Sequence, residues 1–385
     1  MRHRLRLPAD LFLAGGVESK KAPLKERRQM NDPATAIIGT ILDERSRTWL
    51  VTGVGGFIGS NILEALLRHG QYVVGLDNFA TGKRDNLADV EASVGDEAWS
   101  RFRFHEADIR DLDACRAAMT FGEDSDGQTR NVETVLHNAA IGSVPRSIDN
   151  PIYTHENNIN GFLNMLCAAR EAGVGRFVYA SSSSVYGDNQ DLPKVEEHIG
   201  TPLSPYAITK RTNEMYAAVF TRCYGMETVG LRYFNVFGKR QDPDGAYAAV
   251  IPKWISSFIS GTPIHINGDG ETSRDFCYIA NVVQANIRAA TVEKPDALNR
   301  IYNVGAGGRT TLNDLFAMIR DALALRQFPV SETEPEYRDF RPGDVRHSLA
   351  EIASARALLG YRPTHTVSQG MDEALDWYIG LSRRG

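Results

Sequence analysis

An α/β fold with a doubly wound parallel sheet is predicted by two features of the sequence. Short apolar, β-branched runs alternate with segments of helical periodicity up to about residue 238. Each run ends in small or polar residues, and in such sheets ligands bind beyond the carboxyl ends of the strands. A loop-rich portion follows, so we predict three regions. They are an N-terminal extension (1–46), a dinucleotide-binding domain (47–238) and a smaller, partly interleaved substrate-binding domain (239–385).

The first predicted strand (48–52) and helix (57–69) enclose a glycine-rich turn. Glycine at this junction permits a tight turn, a close approach of the backbone to a pyrophosphate and close helix–strand packing. The helix N-terminus offers N–H groups and a partial positive charge to the phosphates. The residues assigned to this contact are Gly53, Gly56, Phe57, Ile58 and Gly59.

A second strand (72–76) ends at Asp77, with Asn78 beside it. A carboxylate about 20 residues past the glycines usually receives the adenosine ribose hydroxyls. Asp77 would repel a 2′-phosphate, so NAD is expected rather than NADP. Three glycines alone would indicate only a tight turn, but the strand, helix and carboxylate supply the context that the motif requires.

Four further strands continue the alternation, with helices predicted at 161–172 and 205–224. The strands are predicted at 102–104, 132–136, 176–180 and 228–232. The strand 176–180 is followed by the serine run 181–184. Since carboxyl ends of parallel strands meet at one edge, these segments are expected to face the same ligand.

A proton-transfer pair is predicted at Tyr206 and Lys210, which lie four residues apart and so share one helix face. A tyrosine with a pKa of about 10 is a poor base near neutral pH. A nearby ammonium group and a positive nicotinamide ring would lower that pKa. A Tyr–Lys pair alone is most simply a solvated face, but the upstream glycine motif and the serine run favour chemistry.

Composition excludes several classes of protein. The net charge of −5 gives no footprint for nucleic acid, and no apolar run reaches the ~18 residues that a membrane span needs. The four cysteines are scattered, without the spacing of a metal site or a disulfide framework, so no metal is expected. A soluble, cytoplasmic protein is expected, and the extension 1–46 is either disordered or partly a mis-assigned start.

With these motifs, the chain resembles the extended short-chain dehydrogenase/reductase family, which has a Rossmann-type fold, and within it the nucleotide-sugar 4-epimerases. The resemblance covers residues 49–385 and rests on 52–60, 180–187, 204–206, 231–238 and 273–276. Three further stretches resemble bacterial UDP-N-acetylglucosamine 4-epimerases of surface-polysaccharide pathways, namely 142–147, 245–254 and 343–349. One departure, Asn281 in place of a common Asp, is taken as structural.

The resemblance implies a role for each matching position. Tyr206 is the base, Lys210 its partner and Ser182 the serine that shares the substrate oxygen. Further cofactor contacts fall at Asp108, Ile109, Ala139, Ala140, Asn157, Lys210 and Tyr233. Substrate contacts fall at Ser143, Ser182, Ser183, Ser184, Asn235, Ala249, Val250, Trp254, Asn267, Arg274, Arg341, Asp344 and Ser348. Arginine presents a forked guanidinium to a diphosphate, a geometry that lysine does not match.

The resemblance also narrows the reaction. Related dehydratases carry acidic residues where this chain has Ser183 and Ser184, so epimerisation at carbon 4 of a UDP-hexose through a 4-keto intermediate is expected. A small Ser348 leaves room for a 2-acetamido group, which favours UDP-GlcNAc and UDP-GalNAc. UDP-glucose and UDP-glucuronate epimerases stay open as alternatives, as does a non-catalytic NAD sensor. Many relatives are homodimers, and helices 161–172 and 205–224 are the expected contact.

Overall fold

The computed structural model describes residues 33–245, 248–340 and 345–382. Seven parallel strands form the main sheet, in the spatial order β7-β6-β5-β4-β1-β2-β3. They are β1 (Thr48–Thr52), β2 (Tyr72–Asp77), β3 (Phe102–Glu106), β4 (Thr134–His137), β5 (Arg176–Ser182), β6 (Thr228–Tyr233) and β7 (Arg300–Val304). The predicted doubly wound α/β fold is therefore confirmed, and strand order reverses between β1 and β4, where such folds bind their ligands.

Helices cover both faces of the sheet. They are α1 (Pro33–Leu42), α2 (Phe57–Arg68), α3 (Arg84–Val94), α4 (Leu112–Ala117), α5 (Val144–Asp149), α6 (Pro151–His155), α7 (Gly161–Glu171), α8 (Pro205–Tyr224), α9 (Val250–Ser260), α10 (Ile279–Thr291), α11 (Leu312–Ala324) and α12 (Val367–Ser382). Shorter helical turns occupy Asp96–Trp99, Glu156–Asn160, Ser183–Tyr186, Pro295–Ala297 and Ala355–Leu359. Within the described ranges, every helix is too short or too polar to cross a bilayer.

Two apolar cores hold these layers together. One unites α1, α2 and α10 with the C-terminal helices, and Trp49, Ile62 and Val282 are completely buried in it. The other lies under α4, α7 and α8, where Phe162 and Phe177 pack edge to face. The inner strands β1, β2, β4, β5 and β6 are buried on both faces, which explains their near-continuous apolar sequences.

Short strand pairs lie outside the main sheet. Thr120–Glu123 pairs with Thr129–Asn131, Asn235–Phe237 with Phe276–Tyr278, His265–Asn267 with Glu336–Arg338, and Ser273–Arg274 with Thr310–Thr311. The pair Asn235–Phe237 and Phe276–Tyr278 links the end of β6 to the C-terminal region. The segment around residue 348 joins the strand Ser273–Arg274 through a parallel bridge between Ser273 and His347.

Two sequence expectations change in part. The expected disorder of the N-terminal extension is wrong for Pro33–Leu42, which forms α1 because Ile38 and Leu42 are buried against α10. Residues 1–32 of the extension lie outside the described residues. The strand β7 was not predicted, and it joins the main sheet beside β6 although it follows residue 238. The domain boundaries themselves stay predictions.

Candidate active site

The glycine turn after β1 forms a cradle that only glycine fits. Gly53 has a φ of +69°, and a Cβ there would lie 2.8 Å from the backbone nitrogen of Ala139. A Cβ on Gly59 would lie 2.1 Å from the carbonyl oxygen of Gly53. Helix α2 then begins with Gly56 at its N-cap, and no side chain takes up the N–H groups of its first turn. The turn can therefore offer backbone N–H groups directly to a phosphate.

Asp77, at the end of β2, closes the cradle. Its carboxylate accepts hydrogen bonds from the backbone N–H groups of Gly55, at 2.8 Å, and Phe79, at 2.7 Å. Burial raises the pKa of Asp77, and these N–H groups oppose that rise. Beside it, Asn78 donates to Asp108 at 2.8 Å. The predicted ribose-binding residues are thus gathered at one edge of the sheet.

The proton-transfer group forms where β5 meets α8. Helix α8 begins at Pro205 because Ser204 caps it, accepting a hydrogen bond from the N–H of Ala207 at 3.1 Å. This start places Tyr206 in the first turn, where its hydroxyl lies beside the Ser182 side chain. One turn later, Lys210 donates to the carbonyl oxygen of Ala180 at 2.9 Å. Three residues predicted as catalytic therefore meet.

The electrostatics of this group differ from the sequence expectation. Burial raises the pKa of Tyr206, and the neighbouring Ser182 hydroxyl offsets only part of the rise. The Lys210 ammonium lies 5.9 Å from the centre of the Tyr206 ring and is bonded to a backbone carbonyl instead. Burial lowers the pKa of Lys210 to about 8. The expected lowering of the tyrosine pKa by this lysine alone is not found, and desolvation is the dominant influence on the tyrosine.

A cavity of about 240 Å³ connects these two halves. Predicted site residues that line it are Ile58, Ala140, Ser182, Tyr206, Lys210 and Tyr233. Ser181, from the predicted serine run, also lines it, and the lining residues that the sequence reasoning missed are Asn138, Gly142, Ala180, Phe234 and Val236. Asn138 precedes the predicted Ala139–Ala140 pair at the end of β4, so its position was a usable signal.

Polar atoms in this region lack partners within the described part of the chain. The Asn138 Nδ2 atom is buried and unpaired, and so is the Ser184 hydroxyl. The Tyr233 hydroxyl lies 3.0 Å from Asn286 Oδ1 and 3.2 Å from Asn138 Oδ1, and its single proton serves one of them. Buried groups of this kind normally find a partner, and a dinucleotide with its amide and hydroxyl groups fits them.

The predicted substrate residues are distributed over several segments. Arg274 donates to the carbonyl oxygens of Ser273, at 3.0 Å, and Arg346, at 3.2 Å. Ser348 is fixed beside it, because its N–H donates to Ser273 at 3.1 Å. Arg341 and Asp344 lie outside the described residues.

Other predicted positions serve a structural purpose in this fold. Trp254 is buried against Phe316 in the C-terminal core, and Ile109 is buried in the core under α7.

Ser143 caps α5 by accepting the N–H of Arg146 at 3.3 Å. The Asn157 side chain donates to the carbonyl of Tyr153 at 2.8 Å. Ala249 caps α9, Val250 begins it, Asn267 ends a short strand, and Asn235 donates its N–H to Asp275. Their ligand contacts stay predictions.

Comparisons with known proteins agree on one family. The profile of the family described as "NAD dependent epimerase/dehydratase family" matches residues 49–305. A UDP-glucose 4-epimerase of Mycolicibacterium smegmatis is 34% identical over 335 residues, spanning 87% of this chain and 99% of that protein.

Solved structures of similar proteins include two with bound ligands. A UDP-N-acetylglucosamine 4-epimerase from Methanobrevibacter ruminantium, in complex with UDP-N-acetylmuramic acid, is 35% identical with a TM-score of 0.77; the match covers 88% of this chain and 99% of that one. A UDP-glucose 4-epimerase from Thermus thermophilus, in complex with NAD, is 32% identical with a TM-score of 0.72; there the match covers 86% and 99%.

Proposed function

Because the chain belongs to the NAD-dependent epimerase/dehydratase family, we propose that it is a UDP-sugar 4-epimerase that interconverts UDP-GlcNAc and UDP-GalNAc. Its cofactor is NAD. The observation that carries the proposal is the meeting of Ser182, Tyr206 and Lys210 in one cavity beside the glycine cradle. Such a group moves a proton on a sugar hydroxyl, as an epimerase requires.

The chain offers NAD a site made of backbone and buried polar groups. The turn at Gly53 and Gly56 would receive the pyrophosphate, and Asp77 the adenosine ribose. Asn138 and Tyr233 would serve the nicotinamide end. When bound there, NAD supplies the hydride chemistry at carbon 4, as a hydride acceptor in the oxidation and as a hydride donor in the reduction.

The protein residues manage the proton. Tyr206, as phenolate, accepts the proton of the 4-hydroxyl and returns it after the sugar has turned over. Ser182 shares the same oxygen and holds it in place. Lys210 contributes a positive charge that favours the phenolate and a donor for ribose hydroxyls. Since burial disfavours the phenolate, the positive charges of the occupied site are what make Tyr206 a base.

Anchoring far from carbon 4 lets the sugar turn while the nucleotide stays bound. We assign the diphosphate to Arg274 and Arg341 and the nucleotide's polar groups to Asn235 and Asp344. Arg274 supports this assignment because it lies on the strand bonded to the segment that carries Ser348. We therefore expect its guanidinium to lie near the side of the sugar that Ser348 would face.

The choice of epimerisation and of an acetylated sugar rests on serines. The turn after β5 has Ser183 and Ser184 where an elimination would use a carboxylate. The Ser348 side chain is small and half-buried, which leaves space for a 2-acetamido group. UDP-glucose and UDP-glucuronate are the alternative substrates, and a non-catalytic NAD sensor is the alternative of another class.

A homodimer is part of the proposal. Ile208, Met215 and Val219 are each about half exposed (53%, 57% and 49%) and share one face of α8. The neighbouring helix α6 adds Ile152, which is 72% exposed. Helix α7, the other helix expected at the contact, has none of the large exposed apolar side chains. Sedimentation of the parent and of an I208E M215E variant tests whether this surface pairs two copies.

Proton NMR of the purified protein with UDP-GlcNAc, without added NAD, tests the function. We expect UDP-GalNAc to form, and the same equilibrium ratio to be reached from UDP-GalNAc, because the cofactor is regenerated in each cycle and stays bound. Turnover of UDP-glucose or UDP-glucuronate alone would refute the acetylated substrate. No turnover of any of them, with NAD supplied, would favour the sensor.

A further inference from the structure

A buried carboxylate lies one turn beyond the catalytic lysine. Tyr206, Lys210 and Glu214 follow one another at four-residue intervals on α8, so they share one face of the helix. Glu214 is only 2% exposed. Burying a charged carboxylate is costly unless it is paired and hydrogen-bonded, so its partners need an explanation.

Three consecutive residues of β5 lie against this helix face. Ala180 accepts from Lys210 at 2.9 Å, and Ser182 lies beside Tyr206. Between them, the Ser181 hydroxyl donates to Glu214 Oε1 at 2.7 Å. Two hydrogen bonds therefore hold the proton-transfer helix to the serine-bearing strand at successive positions, and Glu214 supplies the second of them.

Arg232 on β6 completes the surroundings of Glu214. Its guanidinium donates to both carboxylate oxygens, at 2.8 and 3.0 Å, and is only 1% exposed. It also donates to the Tyr186 hydroxyl at 3.1 Å and to the Glu196 carbonyl at 2.8 Å. The same carboxylate thus connects α8 to the turn that follows Ser182.

Glu214 also affects the charge of Lys210. Burial lowers the pKa of Lys210 to about 8, and the negative charge of Glu214 opposes that fall. Burial would raise the pKa of Glu214 itself, but Arg232 outweighs it and keeps the carboxyl ionised. On the neighbouring strand β4, burial and the lysine charge lower the pKa of His137 to about 3, so His137 is neutral. Arg211, on the helix, bonds the other side of Glu214 at 2.9 Å.

We propose that Glu214 is a positioning residue that keeps Lys210 protonated and fixes the proton-transfer helix on β5. The proposal rests on the proposed function for its catalytic readout, but the charge of Lys210 can be followed without turnover. Glu214 acts through Lys210 and Ser181 and does not itself touch the reacting atoms.

The test is E214Q, which preserves shape and removes the charge. In the parent, kcat should fall as the pH rises through about 8, where Lys210 loses its proton. In E214Q this fall should begin about one pH unit lower, with KM for the UDP-sugar unchanged within about twofold. S181A is the matched control, because it removes one hydrogen bond of Glu214 and leaves its charge. In S181A the alkaline fall should stay in place.

E214Q leaves Arg232 buried without its counter-charge, so E214Q R232M is the second variant. It should fold and show an alkaline fall that is lowered by less than in E214Q, because the loss of the Arg232 charge partly offsets the loss of the Glu214 charge. Independently of turnover, the 13Cε signal of Lys210, assigned with K210R, should titrate about one pH unit lower in E214Q and shift in the same direction, by less, in the double variant. An unshifted lysine signal overturns the role of Glu214. A shifted signal in a protein that turns over no UDP-sugar refutes the proposed function alone.

Discussion

Two buried glutamates, Glu64 on α2 and Glu214 on α8, are each surrounded by positive charges, yet they hold different parts of the molecule. Glu64 is 5% exposed and pairs with Lys239 at 2.6 Å, Arg240 at 2.7 Å and Arg68 at 3.0 Å. None of these cations lines the cavity, whereas both Lys210 and Ser181 beside Glu214 do. The same chemistry thus serves architecture in one place and a reacting group in the other.

The difference lies in which charge is left adjustable. Around Glu64, Arg240 is also paired with Asp89 on α3 at 2.8 Å, so the cluster ties α2 and α3 to the segment after Phe237. Around Glu214, Arg232 and Arg211 donate hydrogen bonds to the carboxylate. Lys210 interacts with it only through its negative charge, which raises the lysine pKa. A charge near a catalytic group changes its titration, while a charge in a closed cluster changes stability.

Tyr206→Phe is the substitution with the largest expected effect. It removes the hydroxyl that moves the proton and keeps the ring, so kcat should fall by about 10³-fold while UDP-sugar binding is retained. Steady-state kinetics and calorimetry measure the two quantities. Tyr224→Phe, on an exposed part of the same helix, is the control and should leave kcat unchanged. A Y206F protein that stays active would show that the group beside Glu214 does not carry the chemistry.

Glu64→Ala should produce the largest loss of stability. It leaves the half-buried Lys239 without its counter-charge and the buried Arg240 with Asp89 alone, which costs about 3–5 kcal/mol of unfolding free energy. Urea unfolding measures this loss, with Glu171→Ala, at a surface ion pair, as the control. If the two variants unfold alike, the Glu64 cluster is not the architectural element that we describe.

Asp77→Asn tests the backbone-built half of the site. The neutral amide no longer repels a 2′-phosphate, so the preference for NAD over NADP should fall about tenfold. The Asn side chain also loses one acceptor for the N–H groups of Gly55 and Phe79, so less NAD should co-purify. Fluorescence titration with both cofactors gives the ratio. An unchanged ratio would place the selectivity elsewhere.

The smallest expected effect is a change in the unfolding free energy at acidic pH. Burial alone would raise the pKa of Glu64, but Lys239 and Arg240 outweigh it and hold the pKa well below its ordinary value. The stabilisation is therefore complete above an unfolded pKa of about 4.3 and is lost as the pH falls below it. In Glu64→Gln the unfolding free energy should fall less steeply below that pH, by about 1.4 kcal/mol per pH unit. Urea titrations at several pH values between 3 and 6 test this.

Local sequence was enough to predict six of the seven strands of the main sheet and the catalytic helix. The runs of apolar residues at β1, β5 and β6 and the helix Pro205–Tyr224 have strong periodicity and clear caps. The pair Tyr206–Lys210 was predictable because both residues belong to one helix. Glu214 carried the same four-residue signal, and extending that spacing by one turn would have found it.

The rest depends on contacts between distant segments. Glu64 and Arg240 come into contact only in the folded chain, and the sequence around either residue does not predict the other. Desolvation of Tyr206 likewise comes from packing that no window of sequence contains. Arg274 and Ser348 come together through a bridge between two short segments, which periodicity does not reveal.

The edge strand β7 has a consequence for how the enzyme can change. It follows the catalytic half in sequence but pairs with β6 along five residues, from Arg300 beside Val229 to Val304 beside Tyr233. A chain cut after residue 238 would leave β6 as an unpaired edge. Exchanging everything after residue 238 between relatives would therefore also replace β7 and its pairing with β6. We expect new sugar specificities to arise more readily by point substitutions than by such an exchange.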